Sequence, residues 1–401
     1  MHAHHHALGV ALSLRPSRPV MLLRPHAAEA AARYFVRHFP GRSFYAVKAN
    51  PDALLLRHLW AGGIRQFDVA SLAEARLVRG LLPQSELAFM HPVKAEEAIH
   101  EAYHRLGVRI FALDSPEELA KIVRATARAD GTPAGDLALC VRLRVSSAHS
   151  KLSLGAKFGI GVAEAPALLM AARQVADTLG ICFHVGSQAM SPQAYADALA
   201  YVRAAIVASG VTVDVIDVGG GFPSRYPGLE PPPLGAYFAV IERGFEALPV
   251  SYSAELWCEP GRALAADFAG LLVRVEKRRG HELFINDGAY GSLFDAAHLG
   301  WRYPVRLVRP EPSTAPLAEF TLWGPTCDDM DHMKGPFPLP ADVGPGDYLE
   351  FGQIGAYGQA MRTDFNGFGE HEVAIVADPP LASLIPVEAA EAAAAATRLS
   401  A

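Results

Sequence analysis

Lys48 ends an apolar, β-rich run, Phe44-Tyr45-Ala46-Val47, and Ala49-Asn50-Pro51 breaks the strand directly behind it. A lysine at a strand's end beside apolar neighbours is placed to lose its proton and act as an amine nucleophile; the plain alternative is a side chain that snorkels to water. Other residues share in any such chemistry. Gly219-Gly220-Gly221, inside Asp-Val-Gly-Gly-Gly-Phe-Pro, either lets backbone N–H groups approach an anion or makes only a tight turn. Glu259 is presented on a stiff Pro260-Gly261 turn, with Arg262 beside it as a countercharge. His184 offers a flat ring for stacking or a hydrogen-bonded core imidazole. Cys327 sits in Gly-Pro-Thr-Cys-Asp, which suits a loop better than a core.

The elements that must position these groups follow from periodicity. Eight short β-rich runs lie between residues 43 and 260: Ser43–Val47, Gln66–Val69, Leu87–Met90, Arg109–Leu113, Leu137–Val145, Ile181–Val185, Val215–Val218 and Ser253–Cys258. Stretches rich in Ala, Leu, Glu and Arg separate them and read as helices, among them Leu72–Gly80, Pro116–Arg128, Ala163–Thr178 and Pro192–Ser209. Eight alternations predict an α/β fold, a closed (β/α)8 TIM-like barrel over residues 24–262, with an open doubly wound sheet as the rival. The active rim of such a barrel is the carboxyl end of its strands. There the sequence puts Lys48, Asp68, His91, Arg144, His184, Gly219–Gly221 and Glu259–Arg262. After residue 263 β runs follow one another without helices: Phe268–Glu276, Glu282–Ile285, Ala318–Trp323 and Tyr348–Phe351. They predict a second, C-terminal β-sandwich or β-barrel domain made of residues 1–23 and 263–385.

Composition narrows the class. A chain of 401 residues exceeds the ~250–300 at which single cores stop growing, so two domains are expected. A net charge of -6, with no basic run longer than Lys277-Arg278-Arg279, argues against nucleic acid. Cys140, Cys182, Cys258 and Cys327 form no C-x-x-C pair, so neither a disulfide framework nor a zinc site is expected, and a reduced, cytoplasmic compartment is the default. No window reaches the ~18 apolar residues of a membrane span. Ala7–Leu14 lacks a basic leader and a cleavage site and is interrupted by Arg15-Pro16, so it reads as an edge strand rather than a signal peptide. His2, His4, His5 and His6 read as an unstructured terminus, not a metal site. The alanine-rich tail, residues 386–401, reads as disordered.

In a barrel the loops after strands seven and eight are the usual phosphate seat, which favours an anion at Gly219–Gly221 with Arg262 as countercharge. A lysine amine plus a phosphate seat suggests pyridoxal phosphate. Glu259 is then a suitable carboxylate for the ring nitrogen, where it keeps the pyridine protonated and a strong electron sink.

The chain resembles the ornithine/diaminopimelate decarboxylase family, pyridoxal phosphate enzymes with an alanine-racemase-like barrel, from about residue 20 to about residue 375. The resemblance rests on Tyr45–Asn50, Phe67–Ser71, His184–Gln188, Gly219–Pro223, Glu259–Arg262, Trp323–Asp328 and Gly355–Tyr357. It implies that Lys48 carries the cofactor, Glu259 holds its pyridinium and His184 stacks on its ring. It assigns the phosphate to Ser187, Gly219, Gly220, Gly221, Gly261, Arg262 and Tyr357, and the polar shell of the lysine to Asp68, Glu74 and Arg144. It further implies a homodimer with shared sites, to which the partner brings Cys327, the donor of a proton to Cα, and Asp328.

Substrate choice is a separate matter. Cys327-Asp328-Asp329 resembles the ornithine enzymes, whereas diaminopimelate enzymes usually carry Cys-Glu-Ser there. Leu293–His298 resembles the ornithine enzymes' segment with an aspartate for the distal ammonium, though with a shorter spacing from Tyr290. Asp295 and Asp328 together would suit a cationic side-chain terminus. The resemblance thus implies conversion of L-ornithine to putrescine in polyamine biosynthesis. Alternatives are L-lysine, both substrates, or diaminopimelate. A racemase of the same barrel would also use Lys48 but generally sets an arginine at the ring nitrogen. An inactive regulatory homologue would be expected to lack Lys48, Glu259 or Cys327, and a small cofactor carrier would lack the second domain.

Overall fold

The computed structural model describes residues 3–385; His2 and the tail 386–401 lie outside the described residues. The chain divides into a barrel unit, Ala32–Pro223 with Pro231–Gly261, and a sheet unit, Met1–Ala31 with Ser224–Glu230 and Arg262–Ala401.

The barrel unit is a closed sheet of eight parallel strands in chain order: Arg42–Ala46, Gln66–Val69, Glu86–Phe89, Ile110–Leu113, Ala138–Arg142, Thr178–Cys182, Val215–Asp217 and Glu255–Cys258. It closes where Trp257 and Cys258 pair with Arg42 and Ser43. Both strand faces are apolar because one meets the outer helices and the other the barrel interior. Phe44, Met90, Ile110, Cys140, Cys182, Val215 and Trp257 belong to one buried cluster. Side-chain caps fix where the helices start. Ser71 Oγ accepts from Glu74 N and Ser115 Oγ from Glu118 N, each at 3.2 Å, and Asp52 caps Leu54 at 2.8 Å. Each cap stabilises its helix by about 1 kcal/mol.

In the sheet unit, nine strands join in one mixed hydrogen-bonded sheet. Val20–Leu23 pairs antiparallel with Ala269–Arg279 and parallel with Glu372–Val376. Arg24, almost wholly buried, is held by Glu350 at 2.6 Å and Asp378 at 2.8 Å. The edge strand expected at Ala7–Leu14 is instead an α-helix, because Ala7, Val10 and Ala11 bury one helical face. Its N-cap is His6, whose Nδ1 accepts from Gly9 N at 3.0 Å. Ala3–His4 pairs with Glu372–Val376, so the histidine-rich segment is ordered from residue 3 onward. Among the described residues no helix is long and apolar enough to cross a membrane, and no group of three or more His, Cys, Asp or Glu could hold a metal ion.

Candidate active site

The first barrel strand ends at Ala46, and a 3-10 turn, Val47–Ala49, carries Lys48 to the carboxyl rim. The turn is seated by Gly261, where a Cβ would lie 3.1 Å from that of Ala49. Lys48 lines a cavity of about 300 Å³ with Asp68, His91, Arg142, His184 and Glu259. Its Nζ lies 3.4 Å from Oδ2 of the buried Asp68. Glu74 stands behind this pair, with Oε2 accepting from Ala70 N at 2.7 Å.

His184 is half-buried, and its Nδ1 accepts from Gly186 N at 3.0 Å. Burial, then the charges of Lys48 and Arg142, push its pKa well down, so the ring is neutral with its hydrogen on Nε2. The ring borders the glycine turn, since a Cβ on Gly220 would sit 2.9 Å from His184 Nε2.

Glu259 and Asp217 share a hydrogen bond between their carboxyls. Burial foremost raises both, Asp217 to about 6 and Glu259 well above the usual range, so the pair holds a proton between them at neutral pH. Glu259 Oε1 is buried with no hydrogen-bond partner among the described residues. A buried acceptor left this way is costly unless a donor arrives.

Gly219 and Gly221 have φ of +66° and +107°, so the turn needs glycine there. All three glycine carbonyls are engaged: Gly219 O by Glu259 N at 2.8 Å, Gly220 O by the Tyr195 hydroxyl at 3.0 Å, and Gly221 O by Ala189 N at 2.9 Å. Among the described residues no acceptor meets the N–H groups of Gly220 and Gly221, which leaves them for an anion. Ser187 opens a short strand, Ser187–Ala189, paired with Ser150–Leu152. A cavity with a lysine and an unpartnered buried carboxylate oxygen, bordered at His184 by the glycine turn, fits pyridoxal phosphate.

Arg144 is not among the cavity's residues. The fifth strand stops at Arg142, Arg144 is exposed beyond the rim, and it is Arg142 that lines the cavity. Asp217, at the end of the seventh strand, joins the site through Glu259, and its signal in the sequence is a carboxylate that ends an apolar strand. Arg142→Met is expected to weaken cofactor affinity about tenfold, the worth of one charged contact, and Arg144→Met to change it little. Equilibrium titration of each variant with pyridoxal phosphate checks this.

In the sheet unit, Arg262 Nη1 donates to the Tyr226 hydroxyl at 2.8 Å and Nη2 pairs with Asp295 Oδ2 at 3.4 Å. Its guanidinium lies over Trp301 at 4.5 Å and over Tyr357 at 5.0 Å. Asp295, expected to meet a substrate ammonium, is therefore buried and countered by the arginine expected to meet the phosphate. Cys327 and Asp328 lie on a loop lining a cavity of about 700 Å³ in the same unit. The Tyr290 hydroxyl donates to Asp328 Oδ2 at 2.5 Å and Met330 N to Oδ1 at 2.9 Å. The Met330 N–H, then the Tyr290 hydroxyl, hold Asp328 below the usual carboxylate range, so it is charged at neutral pH. Cys140, Cys182 and Cys258 are buried, whereas Cys327 is exposed.

Known proteins are similar to this chain in sequence and fold. The pyridoxal binding domain of pyridoxal-dependent decarboxylases matches residues 26–266, and the C-terminal sheet domain of pyridoxal-dependent decarboxylases matches residues 211–355. The chain belongs to the pyridoxal-dependent decarboxylases. A lysine/ornithine decarboxylase of Selenomonas ruminantium is 31% identical over 383 residues, 92% of either chain. An ornithine decarboxylase of Panagrellus redivivus is 33% identical over 364 residues, 81% of this chain and 77% of the relative. The crystal structure of the Paramecium bursaria Chlorella virus arginine decarboxylase bound to agmatine superposes with a TM-score of 0.80 at 28% identity, covering 92% of this chain and 98% of that one. The protein is a pyridoxal phosphate-dependent amino-acid decarboxylase of the ornithine, lysine and arginine type.

Proposed function

We propose that this enzyme converts L-ornithine to putrescine and CO2 for polyamine biosynthesis, as a cytoplasmic homodimer in which Cys327 and Asp328 of each chain serve the Lys48 cavity of the other. Residues 24–262 would form the cofactor domain, and residues 1–23 with 263–385 the domain that carries the Cys327 loop. The observation behind the substrate is Asp328, a carboxylate kept charged by two neutral donors beside Cys327. A charge so held is available to a distal ammonium.

Bound in the cavity, pyridoxal phosphate supplies a protonated ring that takes up the electron pair left on Cα as CO2 departs. Lys48 would hold the cofactor through its amine. Glu259, through the open Oε1, would hold the ring nitrogen and its proton, and the neutral His184 ring would pack against the ring. Gly219–Gly221, Gly261, Ser187, Arg262 and Tyr357 are assigned to the phosphate. Cys327 returns a proton to Cα, so that the product is an amine.

L-Lysine, alone or with ornithine, is the second reading. One methylene discriminates by only about 1–3 kcal/mol, and the Selenomonas ruminantium relative carries both substrates in its name. The deciding experiment measures amine and CO2 from L-ornithine, L-lysine, L-arginine and meso-diaminopimelate at equal concentration. Putrescine in excess supports the reading; cadaverine in excess replaces the substrate and keeps the chemistry; no CO2 from any of them overturns both. Asp328→Asn is expected to lower kcat/KM for the preferred diamino acid about a hundredfold, the cost of leaving a buried cation unpaired.

A further inference from the structure

Asn366 lies in the turn Phe365–Gly367 with a left-handed backbone, φ 54° and ψ 13°, which asparagine tolerates better than most residues. Its Oδ1 accepts from Cys327 N at 3.2 Å and from Cys327 Sγ at 3.2 Å. The turn is itself fastened to Tyr290. Thr363 N and its hydroxyl donate to Tyr290 O at 2.9 Å and 3.1 Å, and the Phe365 ring packs 4.7 Å from that of Tyr290.

We propose that Asn366 is a positioning residue for the proton that Cys327 delivers, an inference that rests on the role proposed above for Cys327. An amide oxygen only accepts, and its two lone pairs are matched here by one backbone and one thiol donor. The backbone bond keeps the amide in place whatever the thiol does. The thiol bond fixes the Sγ rotamer and holds the hydrogen ready, and because S–H is a weak donor the bond is readily given up. In the transfer the S–H bond breaks, the C–H bond at Cα forms, sulfur keeps the electron pair, and water restores the thiol. Where delivery is late, the proton would be taken up away from Cα, the substrate nitrogen would stay with the cofactor and the carbon would leave as an aldehyde, so that CO2 would appear without amine.

Asn366→Gly removes the acceptor and keeps the left-handed turn, and Asn366→Asp keeps both. In the protein without cofactor, Asn366→Gly is expected to raise the rate of Cys327 alkylation by iodoacetamide about threefold at fixed pH, as one weak hydrogen bond is lost. In the holoenzyme with L-ornithine, the amine formed per CO2 should fall in Asn366→Gly and be retained in Asn366→Asp, with the substrate KM unchanged in both. Cys327→Ala is the companion variant. One amine per CO2 from Cys327→Ala would remove Cys327 from its role and this inference with it. A fallen ratio in Cys327→Ala, beside wild-type ratio and alkylation in Asn366→Gly, would overturn the role of Asn366 alone.

Discussion

Lys48→Ala is expected to abolish the near-visible absorbance of the lysine-bound cofactor and to lower decarboxylation by at least about 10⁴-fold, the scale on which loss of a covalent group acts. In the role proposed for it the amine would hold the carbonyl cofactor and Asp68, at 3.4 Å, would orient it; His184 and Arg142, which also line the cavity, offer no primary amine in its place. Lys48 sits on an exposed-rim turn with its side chain 39% exposed, so the fold should survive its removal. Titration of the purified variant with pyridoxal phosphate, followed by absorbance, checks the first part, and CO2 release the second. Persistence of the band would take Lys48 out of this role.

Glu259→Gln should act in opposite directions on activity and on stability. Turnover is expected to fall about 10²–10³-fold, the usual loss when one preorganised electrostatic partner is removed, because a neutral amide no longer keeps the ring protonated. The cofactor-free protein, however, should be more stable as the variant at neutral pH. Burial first, then the charges of Asp217 and Asp68, raise the Glu259 pKa above its unfolded value of about 4.3. A carboxyl raised on folding contributes its full stability below the unfolded pKa and loses it as pH rises through the folded one. Glutamine does not titrate, so its advantage should vanish near pH 4 and grow toward neutrality. Thermal melts of both proteins at acid and neutral pH, without cofactor, test this; a variant less stable at neutral pH would refute the account of a carboxyl whose pKa is raised on folding.

Local and distant determinants of the site divide along one line. Strand and helix periods, the break at Asn50-Pro51, the glycine triplet and the stiff Glu259-Pro260-Gly261 turn are local properties, legible wherever a few adjacent residues set the backbone. They were enough to place eight parallel strands and to bring Lys48, Asp68, His184 and Glu259 to one rim. Ala7–Leu14 is a helix where an edge strand is expected, because a short apolar run fits either period and only the packing of Ala7, Val10 and Ala11 in the sheet's core selects one.

Arg142 and Arg144 have the same strand parity, so sequence cannot say which faces the cavity. That depends on where pairing with the neighbouring strand stops, and it stops at Arg142. The proton shared by Asp217 and Glu259, the pairing of Arg262 with Asp295 and the hold of Asn366 on Cys327 join residues 42, 33 and 39 positions apart. Residue order alone thus carried the fold class and the Lys48, glycine-turn and Glu259 groups that suggest the cofactor, because these follow from short-range pattern and residue chemistry. Tertiary structure alone decided which charges are countered, which carboxyl is protonated and which acceptor is left open, because burial and distant neighbours set those energies.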